Sequence, residues 1–171
     1  MATSCLNNYT LQGIEFDCNA NLAGIRNVWL TYFDDATVEM DTSAHTATVT
    51  LGTGVTWYKY SFARNSSSLN SVLTKDDSNG TRYYTNTITL VFNKLEAQKH
   101  LEAMALSAEK LIALVEDNNG KAWLVGADAY ISGTAEEIGT GASADDRNGY
   151  NVTLEGTSAY LPFEYSGTLP A

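Results

Sequence analysis

Short runs of alternating apolar and polar residues occupy most of the chain and predict β-strands. Residues 25–33 are rich in β-branched and aromatic side chains, and residues 47–51 and 81–92 alternate along their length. Further short runs follow residue 120, and clusters of Gly, Asn and Asp separate them. This pattern predicts an antiparallel β-sandwich or barrel.

One segment near the middle has the period of a helix. Apolar residues recur every three or four positions, which predicts an amphipathic helix over about 94–113. Asn93 and Glu96 resemble a capping box at its start. The end of the segment, "LIALVED", is also compatible with the start of a strand. The predicted apolar face comprises Ala97, Leu101, Met104, Ala105, Ala108, Leu111, Ile112 and Val115. The predicted fold class is therefore mainly β with one helix, an α+β fold.

The first 24 residues have only weak periodicity. Leu11, Ile14 and Phe16 are apolar, and Asn and Gly separate them. We predict an N-terminal arm over 1–24 and a single β-sandwich domain with one helix over 25–171, because 171 residues fit one domain.

Composition and charge exclude several classes of function. The hydrophobic fraction of 44% can form a core, and the net charge of −10 comes with scattered basic residues. Specific nucleic-acid binding needs clustered Lys and Arg, so we do not expect it. We also expect no signal peptide and no membrane-spanning helix. Cys5 and Cys18 are expected to be free thiols, with a disulfide as the alternative.

Three acidic segments share one pattern, in which carboxylates precede Asn-Gly and a strand-like run. We predict hairpin tips with type I′ turns, because Asn-Gly favours positive φ at both central positions. Calcium binding is a weaker alternative, because adjacent acidic side chains diverge and the distal Glu of an EF-hand is missing. The residues concerned are Asp76, Asp77, Asn79 and Gly80; Glu116, Asp117, Asn119 and Gly120; and Asp145, Asp146, Asn148 and Gly149.

Candidate chemistry is sparse in this chain. No motif for a nucleophile, a zinc protease or a phosphate loop occurs, so we expect no enzyme activity and no cofactor. An enzyme would instead require a deep pocket with a carboxylate of strongly shifted pKa. Trp57, Tyr58 and Tyr60 are interpreted as core or interface aromatics, with a sugar-stacking platform as the alternative.

Two stretches resemble the tail tube proteins of tailed phages: the strand-to-helix junction "TNTITLVFNKLEAQKHLEAMALSAEKLI" and the closing "NGYNVTLEGTSAYLPFEY". The stretch "NLAGIRNVWLTYFDD" is similar in style to structural proteins of phages of gut Bacteroides-type bacteria. The resemblance implies a β-sandwich or barrel flanked by one helix, in which loops and arms join copies into stacked rings.

The same resemblance implies a location in the virion after assembly in the bacterial cytoplasm. Copies of the chain and other virion proteins would be its partners, and DNA would pass through an acidic lumen without specific binding. The alternatives are a capsid decoration or head–tail completion protein, and a carbohydrate-binding or adhesin-like β-sandwich. The carbohydrate alternative predicts exposed coplanar rings at 57–60, whereas the tube predicts that these rings are buried.

Overall fold

The computed structural model describes residues 11–171, the side chain of Ala135 excepted. Cys5 and the first ten residues of the predicted arm lie outside the described residues. The elements are β1 (Ile25–Tyr32), a 3-10 turn (Phe33–Asp35), β2 (Ala36–Asp41), β3 (Thr46–Leu51), β4 (Tyr58–Ser61), β5 (Ser68–Asp76), β6 (Thr81–Asn93), α1 (Ala97–Ala108), β7 (Leu111–Asp117), β8 (Ala122–Val125), β9 (Ser132–Gly139), β10 (Gly149–Ser158) and β11 (Phe163–Tyr165).

The strands form two sheets, which confirms the predicted mainly β fold with one helix. Sheet A has seven strands in the order β2-β3-β11-β8-β7-β1-β4, and sheet B has four in the order β5-β6-β10-β9. The neighbouring strands pair antiparallel, except that β11 runs parallel to β3. β11 therefore joins the β2–β3 hairpin to the rest of sheet A.

Sheet A is apolar on both faces around its centre. Val28 and Leu30 of β1 pack with residues of sheet B in one buried cluster, whereas Trp29 belongs to a second cluster. β7 alternates in the same way, and its first six residues are buried. Since side chains of a strand alternate between faces, the two clusters lie on opposite faces of sheet A.

The helix is shorter than the predicted 94–113, and its buried face differs from the predicted one. It ends at Ala108, and Leu111 already belongs to β7. Leu101 and Met104 are 69% and 65% exposed, while the buried helical residues are Ala103 and Leu106. β7 is buried on both faces and therefore has a continuous apolar sequence. This sequence continues the helical spacing of apolar residues beyond Ala108, so the predicted helix is too long.

The start of the helix also differs from the prediction. Glu96 occupies the N-cap position and has extended backbone angles, and no side chain caps it. Lys94 has a φ of 66°, so the chain turns sharply there before the helix begins. The predicted capping box between Asn93 and Glu96 is therefore wrong.

Candidate assembly surface

The first acidic segment connects β5 to β6. Residues 77–80 link Asp76 to Thr81, which are paired across the hairpin. The Asp76 carboxylate accepts hydrogen bonds from Ser78 N and Oγ at 2.9 and 2.6 Å, and these bonds lower its pKa. Only Gly80 has positive φ in this loop, so the predicted type I′ turn is wrong. Four residues separate the paired positions, and loops of this length do not need positive φ at the Asn.

The second acidic segment connects β7 to β8. Asp117 accepts hydrogen bonds from the backbone N–H groups of Asn119 and Lys121 and from Trp123 Nε1. Glu116 lies in the strand rather than in the loop, and its Oε2 accepts a 2.7 Å hydrogen bond from Asn27 Nδ2. Both carboxylates are thus occupied by local structure. Gly120 but not Asn119 has positive φ, so a type I′ turn is wrong here too.

Asn119 also holds the last part of the arm. Its Oδ1 accepts a hydrogen bond from Leu22 N at 2.8 Å, and its Nδ2 donates to Asn21 Oδ1 and Leu22 O at 2.9 and 3.2 Å. The neighbouring Asn118 Nδ2 donates to Ala23 O at 2.6 Å. We call these contacts the arm clamp. They join segments almost 100 residues apart in sequence, which no local pattern indicates.

The third acidic segment lies at the end of a nine-residue loop, 140–148, between β9 and β10. Asp146 accepts hydrogen bonds from the backbone N–H groups of Ser143 and Ala142, and these bonds lower its pKa. Gly149 is the first residue of β10, and its φ is not positive. A Cβ on Gly149 would lie 2.1 Å from the Phe92 carbonyl oxygen. Close backbone approach, not a type I′ turn, therefore requires this glycine.

The three acidic segments do not form one site. Two of them lie at opposite ends of the 13-residue strand β6, about 40 Å apart along it, and the third belongs to sheet A. Paired catalytic carboxylates lie within about 10 Å of one another. Across residues 11–171, no group of three or more His, Cys, Asp or Glu side chains could hold a metal ion.

The aromatic residues at 57–60 do not form one platform. Tyr60 packs against the cluster between the sheets, whereas Trp57 packs against the cluster on the other face of sheet A. Tyr58 is exposed, and its ring meets that of Tyr32 edge-on at 78°. The coplanar exposed rings required for sugar stacking are thus not present here, and the predicted burial is reached only in part, because Trp57 and Tyr60 are half-buried and Tyr58 is exposed.

A cleft of about 150 Å³ lies between β4 and α1. Tyr32, Tyr58 and Leu106 contribute to its walls, and Glu102 accepts a 3.0 Å hydrogen bond from the Tyr60 hydroxyl. Burial, followed by the charge of Glu102, raises the pKa of Tyr60, so the hydroxyl stays protonated and links the strand to the helix. Outside the residues that line this cleft, α1 exposes Leu101 and Met104.

Residues 11–24 form no helix or strand, and their apolar side chains lie in solvent. Ile14 and Phe16 are 99% and 91% exposed. Glu15 and Asp17 alternate with them, which is the pattern of a strand with one apolar and one acidic face. Neither of these two apolar side chains is covered within the described residues 11–171.

A comparison of the chain with protein-family models, curated proteins and solved structures found no match. In the part of the chain that the structure describes, no helix is long and apolar enough to cross a membrane. The exposed elements described above, namely the arm, the strands at the ends of each sheet and the exposed face of α1, form the candidate surface.

Proposed function

We propose that this protein is a non-enzymatic structural subunit that associates with copies of itself into the stacked rings of a phage tail tube. The observation that carries this proposal is the arm at 11–24, whose Ile14 and Phe16 side chains are 99% and 91% exposed among the described residues. Burying each on another subunit contributes about 1.5–3 kcal/mol. A chain that leaves such side chains in solvent is suited to association.

The sheets add a second kind of unsatisfied surface. β2 and β4 end sheet A, and β5 and β9 end sheet B, so within residues 11–171 each of these four strands has one unpaired side. Unpaired strand edges bind further strands unless charge or structure prevents it. When one subunit has both an arm and open strand edges, the arm of one copy can pair with an edge of the next copy. Copies then join head to tail.

The charge of the chain is compatible with a conduit for DNA. Each subunit has a net charge of −10, and a ring multiplies that charge around one opening. A negative lumen repels phosphates and keeps DNA from adhering to the wall. In each of the three acidic loops one carboxylate, that of Asp76, Asp117 or Asp146, accepts hydrogen bonds from its own loop.

Electron microscopy of the purified chain over a range of concentrations tests the proposal. We expect rings and, at higher concentration, stacked tubes with a continuous central channel. A decoration or head–tail completion role would give closed rings or small oligomers that do not stack. A chain that remains monomeric at every concentration would contradict the proposal.

A further inference from the structure

We propose that residues 14–17 of one copy add a strand to the free edge of β4 in a second copy, with Ile14 and Phe16 entering the cleft between β4 and α1. This inference rests on the proposed function, because it names the contact through which copies associate. It is carried by the residue pattern of the arm, the charge of the four sheet edges and the exposure of residues 14–17 in their own chain.

The residue pattern of the arm matches the two sides of β4. Tyr58 and Tyr60 lie on the side of the cleft, whereas Lys59 lies on the other side with its Nζ 5.3 Å from the centre of the Trp29 ring. A strand added beside β4 places alternate side chains on these two sides, about 5 Å from their neighbours. Ile14 and Phe16 then face the tyrosines, and Glu15 and Asp17 face Lys59.

Charge distinguishes β4 from the other three edges. β2 carries Glu39 and Asp41, and β9 carries Glu136 and Glu137, so both repel an acidic segment. On β5, Lys75 already pairs with Asp77 at 2.7 Å. β4 has the sequence Tyr-Lys-Tyr-Ser, and within residues 11–171 Lys59 has no carboxylate partner. An unpaired edge lysine disfavours neutral strands and attracts acidic ones.

The cleft supplies the apolar part of the site. Its volume of about 150 Å³ is open to solvent beside Tyr58, and its walls combine apolar side chains such as Leu30 and Leu106 with the carboxylates of Glu102 and Glu109. The apolar part of the cleft thus lies along a strand edge. A strand that adds to an edge gains affinity from main-chain hydrogen bonds and specificity from pockets for alternate side chains.

The source of the segment is a second copy, because residues 14–17 are exposed and pair with no strand among residues 11–171 of their own chain. In sheet A, β1 lies between β7 and β4, and Asn119 holds Leu22 on the loop that follows β7. A neighbouring subunit can receive residues 14–17 without breaking the clamp.

Self-association of the full chain, measured by sedimentation at several concentrations, tests the inference. We expect Phe16→Ser to weaken association by about tenfold or more, since a buried aromatic side chain is lost. Val72→Ser on β5 is the matched control, because Val72 is also an exposed apolar residue on a sheet edge. It should leave association within about twofold of wild type, as expected for a surface change outside the contact.

A charge exchange tests the pairing itself. Lys59→Glu and the double change Glu15→Lys with Asp17→Lys should each weaken association by about threefold to tenfold, and the combined variant should recover most of the loss. These side chains are exposed, so the fold is retained in each variant, which circular dichroism verifies.

The results separate this inference from the proposed function. Suppose that the wild-type chain assembles. If Phe16→Ser then assembles equally well, or if the combined charge variant does not recover association, the inference is wrong and the proposed function is unaffected. Loss of assembly in Val72→Ser but not in Phe16→Ser would assign the contact to β5. A wild-type chain that stays monomeric would overturn both.

Discussion

Asn119 holds the arm to the body of the protein through Leu22: its Oδ1 lies 2.8 Å from Leu22 N, and its Nδ2 lies 3.2 Å from Leu22 O. The amide thus satisfies both backbone groups of one residue. An aspartate could accept the first hydrogen bond but could not donate the second, so the clamp depends on an amide side chain.

We expect Asn119→Ala to release the arm without unfolding the sheets. Exposed hydrogen bonds of this kind contribute about 1 kcal/mol or less, so the free energy of unfolding should change little. Hydrogen exchange should accelerate at the Leu22 amide. Asn79→Ala is the control, because Asn79 bonds only within its own loop, to Thr81 N. Unchanged exchange at Leu22 would show that Asn119 does not hold the arm.

Gly149→Ala should be far more destabilising than Gly80→Ala. A Cβ at position 149 would meet the Phe92 carbonyl oxygen at 2.1 Å, so β6 and β10 must separate, at a cost of about 3 kcal/mol or more. A Cβ at position 80 meets nothing within 4 Å, and only the positive φ is unfavourable, by about 1 kcal/mol. Urea unfolding of both variants gives the comparison, and equal losses would contradict the close approach.

Leu106→Ala should cost about 2–5 kcal/mol of stability, because Leu106 is buried in the cluster between the sheets. Leu101→Ala removes the same atoms from an exposed position of the same helix and should change stability by about 0.5 kcal/mol or less. The difference in urea midpoint between the two variants measures which face of α1 is buried. A larger loss of stability for Leu101→Ala would show that the helix face predicted from the sequence is the buried one.

That helix shows how far the hydrophobic pattern predicts this fold. The alternation along β6 identifies a strand correctly, and the change of period identifies the helix. The period cannot identify its buried face, because Leu101 and Met104 repeat as regularly as core residues and yet lie in solvent. Nor can it separate the end of α1 from β7, since a strand between two apolar layers has no polar face.

The residues of the candidate surface were predictable only where their role is local. The turn-forming carboxylates of Asp76 and Asp146 follow from nearby sequence. The roles of Gly149 and Asn119 depend on residues far away in the chain, namely Phe92 and Leu22. Pairing between distant segments is a property of the folded molecule, and periodicity contains no information about it.

Acid should weaken the third acidic loop through Asp146. The hydrogen bonds from Ser143 and Ala142 lower the pKa of this carboxyl below its unfolded value. Its contribution is therefore complete above the unfolded pKa of about 3.9 and is lost as pH falls through the lower folded value. We expect Asp146→Asn to flatten the loss of stability below about pH 4.

Urea unfolding of wild type and Asp146→Asn between neutral and acidic pH measures this effect. Asp145→Asn is the control, because its carboxylate makes no hydrogen bond within the described residues of the loop. It should keep the wild-type pH profile. Parallel profiles for wild type and Asp146→Asn would mean that the Asp146 hydrogen bonds do not contribute to stability.

The position of β11 governs when this fold can be completed during synthesis. Phe163–Tyr165 is inserted between β3 and β8, so sheet A stays in two pieces while the ribosome still holds that segment. The β2–β3 hairpin is synthesised more than a hundred residues before β11. It therefore cannot pair with β11 until that strand has been made. Until residues 163–165 pair with both neighbours, a nascent chain therefore has an incomplete sheet with additional open edges.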